Sequence, residues 1–281
     1  MATDIAAEAA VEGGQGDAPA RGTARRDRWL GVASFAAMLL AWFAITGSGL
    51  WPPLVAPAFL PSPVTVAKTF MKLANTGYQG HTLAHHFLIS LMRFGLAFAF
   101  CVVVGVPVGL MMGMHSGVRA VLDPPIETTR PIPKLALLPL FIIWFGIGEL
   151  AKTIVIATAL FPLISISAMQ AVRAVSVRKI QAAQSLGASR ATIFRRVLLP
   201  ASLPGIFTGI RVSVGIGVTM LVGAEMVATS DGIAWMALTA ADFVQTDVVL
   251  VGVLIMAALG YGLDLFFRAL EHRVVHWAGR E

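Results

Sequence analysis

Seven ionisable residues stand inside or at the edges of long apolar runs: Arg93, Glu127, Arg130, Glu149, Arg211, Glu225 and Asp264. A charge at the centre of a bilayer costs at least about 2.5–3.5 kcal/mol, so each needs a partner or a wet cavity. Arg93, Arg211 and Asp264 are read as pairing within the protein or reaching an interface with the charged tip. For Arg130 and Glu225 two readings stand side by side. One is the same pairing; the other is a solute path, with a guanidinium facing an anionic group and a carboxylate facing an ammonium. Glu149 follows WFGIG at the end of a run, where it is placed to meet an outside partner.

Other residue groups argue against covalent chemistry. The histidines of HTLAHH (His81, His85, His86) lack the glutamate of H-E-x-x-H, so no metal site is expected. No G-x-S-x-G nucleophile elbow occurs. No G-x-x-x-x-G-K-[ST] occurs either, so the chain has no phosphate-binding loop of its own. Cys101 is the single cysteine and lies in an apolar run, where it reads as a small packed side chain. No catalytic residue is expected.

The elements that must carry these residues are membrane helices. The chain is 57% hydrophobic and 13% charged, and its mean hydropathy is +0.80. Several runs approach the roughly 20 apolar residues that span a hydrocarbon core. In lipid, backbone groups must be satisfied within each segment, and the runs show no strand-like alternation, so the class is all-α integral membrane. Six spans are expected, at about 29–48, 87–113, 123–147, 153–172, 203–228 and 246–268. The third carries Pro131, Pro133 and Pro139 and is expected to kink where protein or a cavity surrounds it.

Residues 1–28 are expected to form a disordered cytoplasmic tail, and residues 29–277 the transmembrane domain. With the N-terminus inside, Arg21, Arg25, Arg26, Arg28, Arg119, Arg173, Arg178, Lys179, Arg190, Arg195, Arg196, Arg268, Arg273 and Arg280 lie on the cytoplasmic side. Lys68, Lys72 and Lys152 lie outside. This lysine and arginine bias sets the orientation and explains the net charge of +6 without nucleic acid.

Two outer stretches read as helices. One starts at Pro63 after a Ser62 cap, with apolar residues at Val66, Phe70 and Leu73; the other lies in SDGIAWMALTAADFVQTD. Gly105, Gly109 and Gly113 recur every four residues, as do Gly205, Gly209, Ser213 and Gly217. Such small faces let helices approach closely in lipid, within one subunit or between two. Met111, Met112 and Met114 read as adaptable packing.

The cytoplasmic stretch 173–202 is different. IQAAQSLGASRATIFRRVLLP predicts a short helix over 176–187, capped by Ser176 and stopped at Gly187. A second is expected from Ser189, ended by Pro200. Ile180, Ala183 and Leu186 form a narrow apolar stripe, and Ala182 with Ala183 keep the surface low for a partner groove.

At Ala182, Ala183, Gly187, Leu199 and Pro200, with Val197 in place of isoleucine and Gln181 in place of glutamate, the chain resembles the EAA motif of permease subunits of bacterial ATP-binding-cassette importers. RPIPKLALLPLFIIWFGIGE, LPASLPGIFTGIR and AEMVATSDGI are similar to the sulfonate/nitrate/taurine branch. LVGAEMVAT, DFVQTDVVLVG and SLMRFGLAFAFCVVVGVPVGLMMG are most similar to its taurine permease members.

The resemblance implies a type I importer permease fold of about six transmembrane helices. It implies that Ile180, Gln181, Ala182, Ala183, Leu186, Gly187 and Ala188 form a coupling helix for an ATPase. The implied partners are a second copy of the chain, two ATPase subunits that bind ATP and magnesium, and a periplasmic binding protein; this chain binds no cofactor. A self-contained secondary transporter is the alternative, but the inverted repeats it calls for are not seen.

Overall fold

The computed structural model describes residues 21–47, 52–227 and 229–277. Those residues fold into helices, with one isolated bridge between Tyr78 and His81. Two compact units divide at Thr65.

The first unit holds α1 (Arg21–Thr46). Thr46 Oγ1 donates back to the Trp42 carbonyl at 2.8 Å, and Trp42 Nε1 donates to the Pro61 carbonyl at 3.1 Å. The expected tail is corrected here, because residues 21–28 are already helical. Arginine and alanine are strong helix formers, and extending an existing helix avoids a new nucleus. The tail before residue 21, and Arg280 near the other end, lie outside the described residues.

The second unit contains α2 (Pro63–Thr76) from Val66 onward, α3 (Leu83–Met114), α4 (Ser116–Thr129), α5 (Leu138–Phe145) and α6 (Glu149–Arg173). There follow α7 (Val177–Ser185), α8 (Arg190–Ile193), α9 (Leu199–Glu225), α10 (Ile233–Asp242) and α11 (Thr246–Val274). Among the described residues of both units, five helical stretches are long and apolar enough to cross a membrane: Trp29–Thr46, Leu83–Met114, Glu149–Arg173, Arg190–Glu225 and Thr246–Val274.

The expected third span is not one helix. It is split into α4, a 3₁₀ turn at Lys134–Leu137 and α5. Pro131 and Pro133 flank the break, and Pro139 sits in the first turn of α5, where a missing N–H costs nothing.

Both small-residue ladders face α6. A Cβ added at Gly113 would lie 2.7 Å from Val172 Cβ, and one at Gly105 3.1 Å from Ser165 Oγ. From the other side, a Cβ at Gly205 would lie 2.8 Å from Ala171 Cβ, and one at Gly217 3.1 Å from Leu160 Cδ2, with the Phe94 ring of α3 nearer still at 2.6 Å. The ladders therefore serve packing within the subunit, with α6 held between α3 and α9. Met112 is fully buried with Ile126, Ile166 and Met169. Met111 is 44% exposed.

The pairings fix directions. α3 and α6 run the same way, since Arg93 meets Glu149 and Gly113 meets Val172. α9 runs against them, since Gly205 meets Ala171 and Gly217 meets Leu160. One end of the bundle thus holds the starts of α3 and α6 and the end of α9. The other holds α7, α8 and the start of α9.

Candidate functional site

At the second end, Val175 and Ser176 lead from α6 into α7. Gly187 ends that helix with φ of +76°, a left-handed turn that favours glycine. Ala188 N–H closes the turn on the Ala183 carbonyl at 3.1 Å, and Gly187 N–H on the Gln184 carbonyl at 2.9 Å. Ser176 occupies the cap position but makes no side-chain cap bond. Ser189 does cap, accepting from Thr192 N–H at 3.3 Å.

No residue of α7 is buried. Ile180 and Ala183 are partly buried, and Ile180 lines a groove of about 350 Å³ with Val172, Ile193 and Phe194 among others. Leu186 is 87% exposed and Val177 64%; Gln181, Ala182 and Gly187 are also exposed. Ser189→Ala is expected to remove about 1 kcal/mol of local stability. Faster amide exchange over residues 190–198 than over 178–185 would report it.

Pro200 does not end the second helix, as the spacing had suggested. Residues 194–198 form a single wide π turn, with Leu199 N–H bonded to the Phe194 carbonyl, and the helix runs on as α9. The wide turn makes room for the proline ring against the preceding carbonyls. Pro204 cannot donate to the Pro200 carbonyl; Trp277 Nε1 does so instead, at 3.3 Å.

At the opposite end lies a buried ionic node. His86, Ser90 and Arg93 share one face of α3 and are fully buried. Arg93 Nη1 donates to Glu225 Oε1 at 3.0 Å and to the Asp231 carbonyl at 2.9 Å. Its Nη2 donates to Glu149 Oε1 at 2.8 Å, Asp231 Oδ1 at 2.5 Å and Thr229 Oγ1 at 3.2 Å. Its Nε pairs with Glu149 Oε2. Lys152 adds a second cation on Glu149 at 3.0 Å.

Glu225 has no free oxygen. Oε1 takes Ser90 Oγ at 2.6 Å as well as Arg93, and Oε2 takes Ala234 N–H at 2.9 Å. The Ser90 hydroxyl also accepts from Ile233 N–H at 2.9 Å. Gly232, at φ of +113°, lets the backbone pass this carboxylate; a Cβ there would lie 2.5 Å from Glu225 Oε2. Gly232 N–H donates to His86 Nδ1 at 3.1 Å, which places the ring proton on Nε2, facing the Tyr78 carbonyl at 3.2 Å.

Asp231 lies beyond the spanning helices. Burial would raise its carboxyl, but hydrogen bonding and charge from Arg93, with His85 and Thr229, hold it below the ordinary aspartate value. One guanidinium thus ties α3, α6, α9 and the 229–232 loop.

The other candidates are placed apart from this node. Arg130 is exposed and pairs with Glu127 at 3.0 Å; no hydrogen bond or ion pair joins it to Glu225 among the described residues. Arg211 pairs with Asp264 at 3.1 Å and Glu271 at 3.2 Å. Cys101 is fully buried. Sequence reasoning passed over Ser90, Asp231 and Glu271, and read Lys152 and Arg268 only as markers of orientation. The polar repeat His86–Ser90–Arg93 and the repeat Asp264–Arg268–Glu271, each on one face of an apolar helix, are the signals that mark Ser90, Arg268 and Glu271.

An all-helical bundle with several lipid-crossing segments, pinned at one end by buried ion pairs and presenting an uncovered short helix at the other, has the build of the membrane subunit of a transport system. The chain belongs to the family of binding-protein-dependent transport system inner membrane components, whose model matches residues 105–276. Its members are non-catalytic membrane subunits of ATP-binding-cassette transporters, and ATP is used by a separate subunit.

The chain is 41% identical over 251 residues to the taurine transport system permease protein TauC of Escherichia coli K12, covering 89% of this chain and 90% of that one. It is 34% identical to the putative aliphatic sulfonates transport permease protein SsuC of Bacillus subtilis 168, covering 90% and 89%. Among solved structures, the MetNI methionine transporter in an inward-facing conformation shares the fold. Its TM-score is 0.55 at 19% identity, with 72% of this chain and 98% of that chain covered.

Proposed function

We propose that this chain is the permease subunit through which taurine crosses the bacterial inner membrane, delivered by a periplasmic binding protein and driven by ATP hydrolysed on two partner subunits. The observation that carries the substrate is 41% identity, spread over 89% of the chain, to a taurine permease. Another aliphatic sulfonate is the second reading, favoured by the 34% identity to a sulfonate permease. A bicarbonate permease of Synechococcus elongatus matches less of the chain, 67% at 30% identity.

In this reading two copies form the path, and the N-terminus and α7 are cytoplasmic, as the arginine distribution supports. Ile180, Gln181, Ala182, Ala183, Leu186, Gly187 and Ala188 form the ATPase-docking tip. An 87%-exposed leucine beside small alanines and a tight turn suits insertion into a groove. Arg130, half exposed and paired with Glu127 alone among the described residues, remains the residue proposed for the path. Glu225 has both oxygens committed and serves the node in this conformation.

Two measurements test the reading. Deleting the chain is expected to abolish growth on taurine as sole sulfur source, and a plasmid copy to restore it; unchanged taurine import in the deletion strain would remove the substrate assignment. Leu186→Asp is expected to weaken retention of the ATPase on copurification by about tenfold or more, the scale of losing a central apolar contact. Full retention would remove the docking assignment.

A further inference from the structure

We infer that Arg211 is a positioning residue that locks the C-terminal half of α11 onto α9, so that motion entering α9 from residues 177–198 carries α11 with it. This rests on the docking role proposed above for that segment.

The buried residues of α11 are Val248, Val251, Gly252, Met256 and Leu259, all in its first half. From Gly260 to Val274 no residue is buried, and Tyr261 and Phe266 are 67% and 60% exposed. Interdigitated packing therefore does not hold this half-helix. Its polar ties are Arg211 Nε to Asp264 Oδ1 at 3.1 Å and Arg211 Nη1 to Glu271 Oε2 at 3.2 Å. Arg268 holds the other oxygen of Asp264 at 3.0 Å. Past the helix end, Trp277 donates to the Pro200 carbonyl. A ring contact, Phe267 on Phe98 at 4.9 Å, joins it to α3.

Asp264 and Glu271 stand two turns apart on one face of α11. A single guanidinium reaching both fixes the sliding and the rotation of α11 against α9 together, which a point-charge ammonium cannot do. The pair is 27–29% exposed, so water that enters can open it, and the lock is reversible where side-chain packing would not be. α8, the π turn and α9 form one unbroken helical stretch from Arg190 to Glu225, so a push that α7 passes to α8 is delivered to Arg211 along one rigid element. Without the lock, α9 moves and α11 stays.

The test uses the whole transporter, this chain with its ATPase and binding protein in proteoliposomes. Taurine uptake and ATP hydrolysis are measured together, with an alkanesulfonate as second solute. Arg211→Gln is expected to lower solute moved per ATP by about tenfold while hydrolysis stays within about twofold of wild type. Arg211→Lys is expected to recover to within about threefold, because lysine keeps the charge but reaches one carboxylate at a time. Arg211→Cys with Asp264→Cys, in a Cys101→Ser background and bridged by a short bifunctional thiol reagent, is expected to restore the ratio.

An unchanged ratio in Arg211→Gln overturns the inference. So does equal loss of assembly in the glutamine, lysine and bridged variants, which would make the cluster a folding element only. Failure of the docking reading shows separately, as ATPase retained by Leu186→Asp.

Discussion

Arg93→Leu is expected to cost about 3–5 kcal/mol, the range for stripping one partner from a buried ion pair. Against a total stability of about 5–15 kcal/mol, that is a large share of what keeps the chain folded. The side chains of Arg93 and Glu225 are both fully buried, so the leucine leaves a carboxylate with no water and no cation. Glu149 keeps Lys152 and Asp231 keeps His85, so the injury centres on Glu225.

Two companions separate charge from geometry. Arg93→Lys retains the charge but cannot serve Glu149, Glu225 and Asp231 at once, and should lose about half as much. Adding Glu225→Gln to Arg93→Leu removes the stranded charge and should recover about 1–2 kcal/mol. Thermal unfolding midpoints of the purified chain in detergent, with the amount accumulated in membranes, read all three. If Arg93→Leu melts with wild type, the node does not hold the ends of α3, α6 and α9 together. Glu225→Gln alone also separates the two roles considered for that residue: a node residue changes the melting point and leaves the solute concentration for half-maximal uptake unmoved.

Much of this architecture was legible because the relevant signals are local. The Ser62–Pro63 start of α2 and the Ser189 cap need only their immediate neighbours, and both form as the spacing predicts. The glycine positions on α3 and α9 were readable as packing faces, but the helix they face was not, since such a face fits a helix of the same chain as well as one of another. The structure sets both faces against α6, with Phe94 of α3 also reaching Gly217.

The ion pairs were out of reach for a related reason. Arg93 finds Glu149, Glu225 and Asp231 across separations of 56, 132 and 138 residues. Nothing in composition chooses among the carboxylates available at one end of a bundle. The π turn before α9 and the broken return between α3 and α6 share one cause. Proline removes an N–H, and whether the helix then stops, widens or splits depends on what else bonds the freed carbonyl. At Pro200 that partner is Trp277, 77 residues away.

Gly109→Val is expected to abolish accumulation of the folded chain, and Gly109→Ala to cost about 1–3 kcal/mol, the range for overpacking a filled interface. A Cβ on Gly109 would fall on the carbonyl oxygen of Ser165, and would lie 2.6 Å from Ala168 Cβ and 3.0 Å from Met169 N. Two of these neighbours are backbone, which no rotamer change can move, so α3 and α6 must separate. In lipid that separation is not resisted by water-driven burial; close van der Waals contact is what holds the helices, and a small shift forfeits much of it.

Gly95 on the same helix supplies the control, because a Cβ there meets nothing within 4 Å. Gly95→Ala should be neutral or stabilising by about 0.5–1 kcal/mol, the helix preference of alanine over glycine. Melting curves of the two alanine variants should therefore move in opposite directions, and a parallel fall would mean that glycine matters here for flexibility rather than approach. The same displacement draws Arg93 away from Glu149, which lies on the helix being pushed off. Gly109→Ala and Arg93→Lys should then lose less together than the sum of their separate losses, since the first already loosens the pair that the second weakens.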